Sequence, residues 1–153
     1  MFSFFKVIVL IFTVQLTQAQ LIGFLDRVTL NDSNIRFGGW ACKRKSTAPV
    51  KVNIYVGGDK NQGKLVKTIT ASNKNEVGVN RACQTSNSSH RYSVNISIKD
   101  LYQFKGQKVY AYANNGNEMK ILKRSGTKLI PEFKTNVIGE INGITRDLWE
   151  ALI

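Results

Sequence analysis

Histidine is nearly absent from this chain: His90 is the single copy in 153 residues. With one imidazole and no nucleophile elbow, zinc-binding helix or phosphate-cradling glycine loop, catalysis finds little support in the sequence. His90 sits in the polar stretch SNSSH and is expected as an exposed loop residue. Cysteine is limited to Cys42 and Cys83, and neither stands at a metal-ligand spacing. No metal, cofactor or catalytic residue is therefore expected. Acidic residues are also scarce, 10 against 22 Lys plus Arg, so the formal net charge is +12. Such a balance favours anionic partners over cationic ones.

Beyond the N-terminus there is no apolar run long enough to cross a membrane. The run that does exist lies in MFSFFKVIVLIFTVQLTQA, with one cation at Lys6, an apolar stretch from Val7 to Val14, and small residues Thr17 and Ala19 near its end. This is the layout of a secretory signal peptide cut after Ala19. A membrane anchor is the competing reading, but the apolar stretch is short for one. Cleavage leaves residues 20 to 153 and removes only the charge of Lys6. The expected organisation is a signal peptide at 1–19, one domain at 20–131, and a C-terminal segment at 132–153. A secreted, extracellular location follows, and it makes a Cys42–Cys83 disulfide the expected state, with a free or intermolecular thiol as the alternative. Three sequons, at Asn31, Asn87 and Asn95, are candidate glycosylation sites.

What the mature chain has in quantity is period-two patterning. LIGFLDRV (21–28), IRFGGWAC (35–42), VKVNIYV (50–56), KLVKTITA (64–71), RYSVNISI (91–98), QKVYAYA (107–113) and EMKILKR (118–124) read as strands separated by turn signals such as NDSN and NNGN. In VKVNIYV the residues Val50, Val52, Ile54 and Val56 share one face and Lys51, Asn53 and Tyr55 the other. In RYSVNISI the same alternation points Asn95 outward. NEVGVNRAC (75–83) fits either a short helical turn or an extended segment, and SIKDLYQFKG (97–106) fits a helical turn between strands. Seven short strands at this spacing predict an all-β, antiparallel sandwich.

Several motifs taken together carry more information than any one. GFLDRVT, GGWAC, VNIYVGG, ASNKNE, the RAC of 81–83, HRYSV, KVYAYA and SGTKLIP follow one another between residues 21 and 131. The run resembles a secreted GWAC-type module common in bacterial extracellular proteins. That resemblance implies an Ig-like β-sandwich with one disulfide, poorly defined function and a link to carbohydrate or surface binding. It brings no catalytic residues. Gly39, Trp40, Cys42, Tyr55, Gly57, Gly58, Asn73, Glu76 and Cys83 occupy module-like positions, most of them structural. The chain departs from the pattern at Lys43, Arg44 and Lys45, where the module often has neutral or acidic residues.

Two kinds of binding site are expected from the residues themselves. Tyr110 and Tyr112 alternate with small apolar residues and Tyr55 opposes a valine row, so these rings are candidates for a sugar-stacking platform. Lys43, Arg44 and Lys45, with Lys60, Lys64, Lys67, Lys120, Lys123, Arg124 and Lys128, form the candidate surface for heparin-like glycans, anionic lipid or envelope polymers. Trp40 and Cys42 lie two apart on a strand and share a face, where a large ring packed beside the disulfide is expected to anchor the sandwich core. Asp26 and Glu76 are assigned to capping and turns rather than to a hydrolytic carboxylate pair. The expected partner is a glycan or an anionic surface polymer. An extracellular protein receptor is the alternative, contacted through residues 137–153, where VIGEINGIT echoes LIGFLDRVT and RDLWEALI forms an apolar helical side. Secretion sets nucleic acid aside as a natural partner.

Overall fold

The structure is a computed structural model that describes residues 20–86 and 89–133. Residues 1–19, where the signal peptide is expected, Asn87 and Ser88, and the segment from 134 onward, including the echo of the first strand, lie outside the described residues. Nine strands are found within them: β1 (Leu21–Asn31), β2 (Asn34–Lys43), β3 (Lys51–Val56), β4 (Lys64–Thr70), β5 (Asn73–Lys74), β6 (Ser89–Ser97), β7 (Lys108–Asn114), β8 (Met119–Ile121) and β9 (Lys128–Leu129). All seven strands expected from the alternation are present. The two additional ones, β5 and β9, have two residues each, too short to show a period.

The strands form two antiparallel sheets, one ordered β1-β2-β6-β5 and the other β4-β3-β7-β8 with β9 also paired to β7. The arrangement is an Ig-like sandwich. Between the sheets lie Leu25, Ile35, Phe37 and Tyr92 from the first, and Val52, Ile54, Val56, Val109 and Ala111 from the second. The alternation in VKVNIYV thus has a cause: its valine and isoleucine row is the inner face, buried on the other sheet.

NEVGVNRAC resolves into the helix α1 (Val77–Cys83), ended by Gln84 in the left-handed region at φ 54°. SIKDLYQFKG becomes α2 (Ile98–Leu101), capped by the Ser97 hydroxyl accepting from Lys99 N, followed by a 3-10 turn (Tyr102–Phe104). Cys42 and Cys83 form the disulfide, closing a sequence separation of 41. It does not bridge the two sheets. It fastens α1 to the outer face of the first sheet, where Cys42, Val79 and Cys83 make a small cluster of their own with Ile22 and Trp40.

One local feature carries the site to come. Past Ile121 the chain leaves β7 and runs beside β1: Leu25 N donates to Lys123 O at 2.9 Å and Lys123 N to Gly23 O at 3.0 Å. Phe24 and Lys123 are paired in a parallel bridge. This crossing ties the two sheets along one side and brings residues 120–123 to the outer face of β1.

His90 departs from its expected place. It lies in β6 with no exposed surface rather than in a solvated loop. Its main-chain N–H donates to Asn75 Oδ1 at 2.8 Å, and neither ring nitrogen has a partner among the described residues. Burial holds its pKa below the ordinary 6.5, so the ring is neutral.

Candidate functional site

The outer face of the first sheet carries a row that the pairing registers define. Phe24 of β1 is opposite Trp40 of β2, and Trp40 is opposite Arg91 of β6. With Lys123 beside Phe24, four neighbouring chain segments present cation, ring, ring and cation in order. The two rings meet at 5.4 Å between centroids with a 30° tilt. Both are half-buried. Lys123 Nζ lies 5.4 Å and the Arg124 guanidinium 5.9 Å from the Phe24 centroid, so the ring is flanked by positive charge.

Glycines make the row possible. Gly39 precedes Trp40, and a Cβ there would run into the Phe24 carbonyl and the Tyr92 ring. The absence of that atom lets the Tyr92 hydroxyl reach under β1 and donate to Phe24 O at 3.0 Å. A β-bulge between Leu25 and Arg27 then frees Asp26 from the ladder and turns it toward β6.

At the far end Arg91 is clamped. Its Nη1 donates to Asp26 Oδ2 at 2.8 Å, its Nε to Glu76 Oε2 at 2.7 Å, and its Nη2 to Glu76 Oε1. The bidentate guanidinium pair holds Glu76 well below the usual carboxylate range, at about 2. Glu76 stands at the N-cap position of α1, but its carboxylate caps nothing. The capping role expected for Glu76 is therefore replaced by this ion pair, because the outward-facing Arg91 on the adjacent strand is the stronger partner. Both carboxylates are engaged with one arginine.

At the near end a cavity of about 420 Å³ opens beside the rings. Its walls come from four separate stretches: Gln20 to Phe24, Trp40 with Arg44, Ala82 of α1, and Lys120, Ile121 and Lys123. No carboxylate is among the described residues that line it. The KRK triplet divides here. Lys43 ends β2, Arg44 N donates to Gln20 O at 3.0 Å, and Lys45 N donates to Cys83 O at 2.9 Å. Only Arg44 lines the cavity, and its Nε is buried without a hydrogen-bond partner. A second, smaller groove of about 200 Å³ lies along the same face, lined by Arg27, Arg36, Lys74 and Arg91 over the bare backbone of Gly38 and Gly39.

The tyrosines are placed differently. Tyr55 and Tyr110 are paired across β3 and β7 on the outer face of the second sheet, both half-buried. Tyr112 is 6 % exposed, packed edge-on against Tyr55 at 5.7 Å. Tyr112 is thus removed from any exposed platform, since the 57–63 turn closes over it and Lys60 N reaches its hydroxyl at 3.5 Å. Tyr110 lies against Gly126. The aromatic pair with cations around it is Phe24 and Trp40. The alternation marks Phe24 and Trp40 as facing the same way within their strands, but their adjacency depends on the β1–β2 register, which a single strand pattern does not contain.

Of the glycosylation candidates, Asn31 and Asn95 are exposed, Asn95 on the outer face opposite Arg36. Asn87 lies outside the described residues, as do residues 137–153. Among the described residues no group of three or more His, Cys, Asp and Glu is placed to hold a metal, and no helix is long and apolar enough to cross a membrane. Comparison with family models, curated proteins and solved structures finds no match to this chain.

Proposed function

We propose that this chain is a secreted, non-enzymatic binding module for glycans or anionic surfaces, and that it binds through the outer face of its first sheet. The observation that carries this reading is the row Lys123, Phe24, Trp40, Arg91. Tilted rings offer a rigid apolar surface to the CH face of a sugar, and Lys123 at the near end offers hydrogen bonds to its substituents, while Arg91 at the far end is held by Asp26 and Glu76. The net charge of +12 supports an anionic partner, which it would steer from solution. The run of motifs from GFLDRVT to SGTKLIP, with its resemblance to surface-binding modules, supports the same class of function. The disulfide is compatible with an extracellular setting.

A glycan array probed with the purified protein at low and at high salt tests the reading. Binding to a defined set of glycans is expected, weakened in Phe24→Ser. If no glycan and no anionic vesicle retains the protein at either salt, the module does not have this function.

A further inference from the structure

Building on that reading, we infer that the cavity beside Phe24 and Trp40 is the seat for one acidic sugar ring, a unit bearing a carboxylate or a sulfate, and that Arg44 is its selectivity residue. The volume, about 420 Å³, is within the range of small-ligand sites and suits a single ring with its substituents. Arg44, Lys120 and Lys123 reach it from two distant stretches of chain, with no carboxylate among the described residues of its walls. A neutral ligand would leave that charge unopposed.

The state of Arg44 sharpens the argument. Arg44 is half-buried at the cavity wall, and its Nε has no hydrogen-bond partner among the described residues. A guanidinium presents parallel N–H groups in one plane, and carboxylate and sulfate oxygens match that spacing. The Arg44 main-chain N–H donates to Gln20 O at 3.0 Å, which places the residue just past the end of β2 beside the cavity. The lysines are different. Lys120 and Lys123 are exposed, and Lys123 rests on the Phe24 ring. An entering sugar would take that place on the ring, and the displaced ammonium would remain near enough to meet its anionic group.

The test uses the full chain expressed in a eukaryotic secretory host and isothermal titration at about 0.15 M salt, where charges beyond roughly 8 Å are screened. The probes are a heparin-derived hexasaccharide, an oligosaccharide of glucuronic acid units, and a neutral hexasaccharide of glucose. The expected result is binding of an acidic probe over the neutral one, weakened about tenfold or more by Arg44→Gln and by Lys120→Glu with Lys123→Glu. Lys64→Glu with Lys67→Glu, the same charge change on exposed β4 of the other sheet, is expected to change affinity by less than about threefold. In a Trp149→Phe chain the remaining Trp40 emission should shift as the acidic probe binds. Equal losses in both lysine pairs would overturn the site while leaving the broader reading standing, because diffuse charge would then be sufficient. Neutral and acidic probes bound alike would overturn the role of Arg44. No binding of any probe by the unaltered chain would overturn the cavity assignment and the broader reading together.

Discussion

Tyr92 shows how one side chain joins the core to the site. Its ring is buried between the sheets, its hydroxyl pKa is pushed up by that burial, and the hydroxyl donates to the carbonyl of Phe24. Tyr92→Phe should cost about 1 kcal/mol, the net value of one buried hydrogen bond, read by urea unfolding. Gly39→Ala should cost more than Tyr92→Phe, since the added methyl group collides with backbone as well as with the tyrosine. His90 makes a prediction with a definite sign. Its folded pKa lies below 6.5, so the unfolded chain binds the proton more readily, and stability must fall as pH drops below 6.5. Melting temperature followed from pH 8 to 5 should decline through that window, and His90→Leu should remove this part of the decline. Glu76 acts in a separate window. Its stabilising pair with Arg91 is fully present above 4.5 and is lost as pH falls toward about 2.

Elements add constraints that no residue carries alone. The helix α1 has seven residues, too few to persist without tertiary support. Two things hold it: the disulfide from Cys83 to β2, and the apolar contact of Val79 with Ile22 and Trp40. In the chain-entropy estimate, closing a loop of this length stabilises the fold by about 4 kcal/mol. Replacing both cysteines with alanine should lower unfolding stability by about that amount. Amide exchange measured on the same protein should show α1 opening well before β2, β3 and β7, because the two-sheet core lies elsewhere and keeps its contacts. If α1 and the central strands lost protection together, the helix would be part of the core and this account of the disulfide would fail.

For the whole molecule the deciding quantity is how charge and shape are distributed. A chain of net charge +12 attracts polyanions over its entire surface, and that attraction shrinks as the screening length falls from about 8 Å at physiological salt to about 3 Å at 1 M. Contacts made inside the cavity are screened less. Retention on immobilised heparin should therefore fall steeply with salt for the unaltered protein and then level off at a residual affinity. Phe24→Ser should abolish the residual part and leave the steep part intact. A purely monotonic loss, identical in both proteins, would mean that no ring contact contributes.

The amino-acid sequence by itself determined the all-β class, the seven longer strands, the inner face of VKVNIYV and the pairing of its only two cysteines. Each of these follows from alternation or composition, which are local properties of the chain. That Trp40 and Cys42 share a face was legible for the same reason, but the core position expected for them is overturned: both lie on the outer face of the first sheet, with α1. What only the tertiary structure decided was register, side and depth. It put Tyr112 under a turn and His90 beneath the sheet, set the disulfide on an outer face, and gathered Gln20, Phe24, Trp40, Arg44, Lys120 and Lys123 around one cavity. The outermost of those residues, Gln20 and Lys123, are more than a hundred positions apart along the chain. Their meeting depends on strand pairing and on the crossing of residues 122–124 to β1, and neither leaves a periodic trace in any one segment.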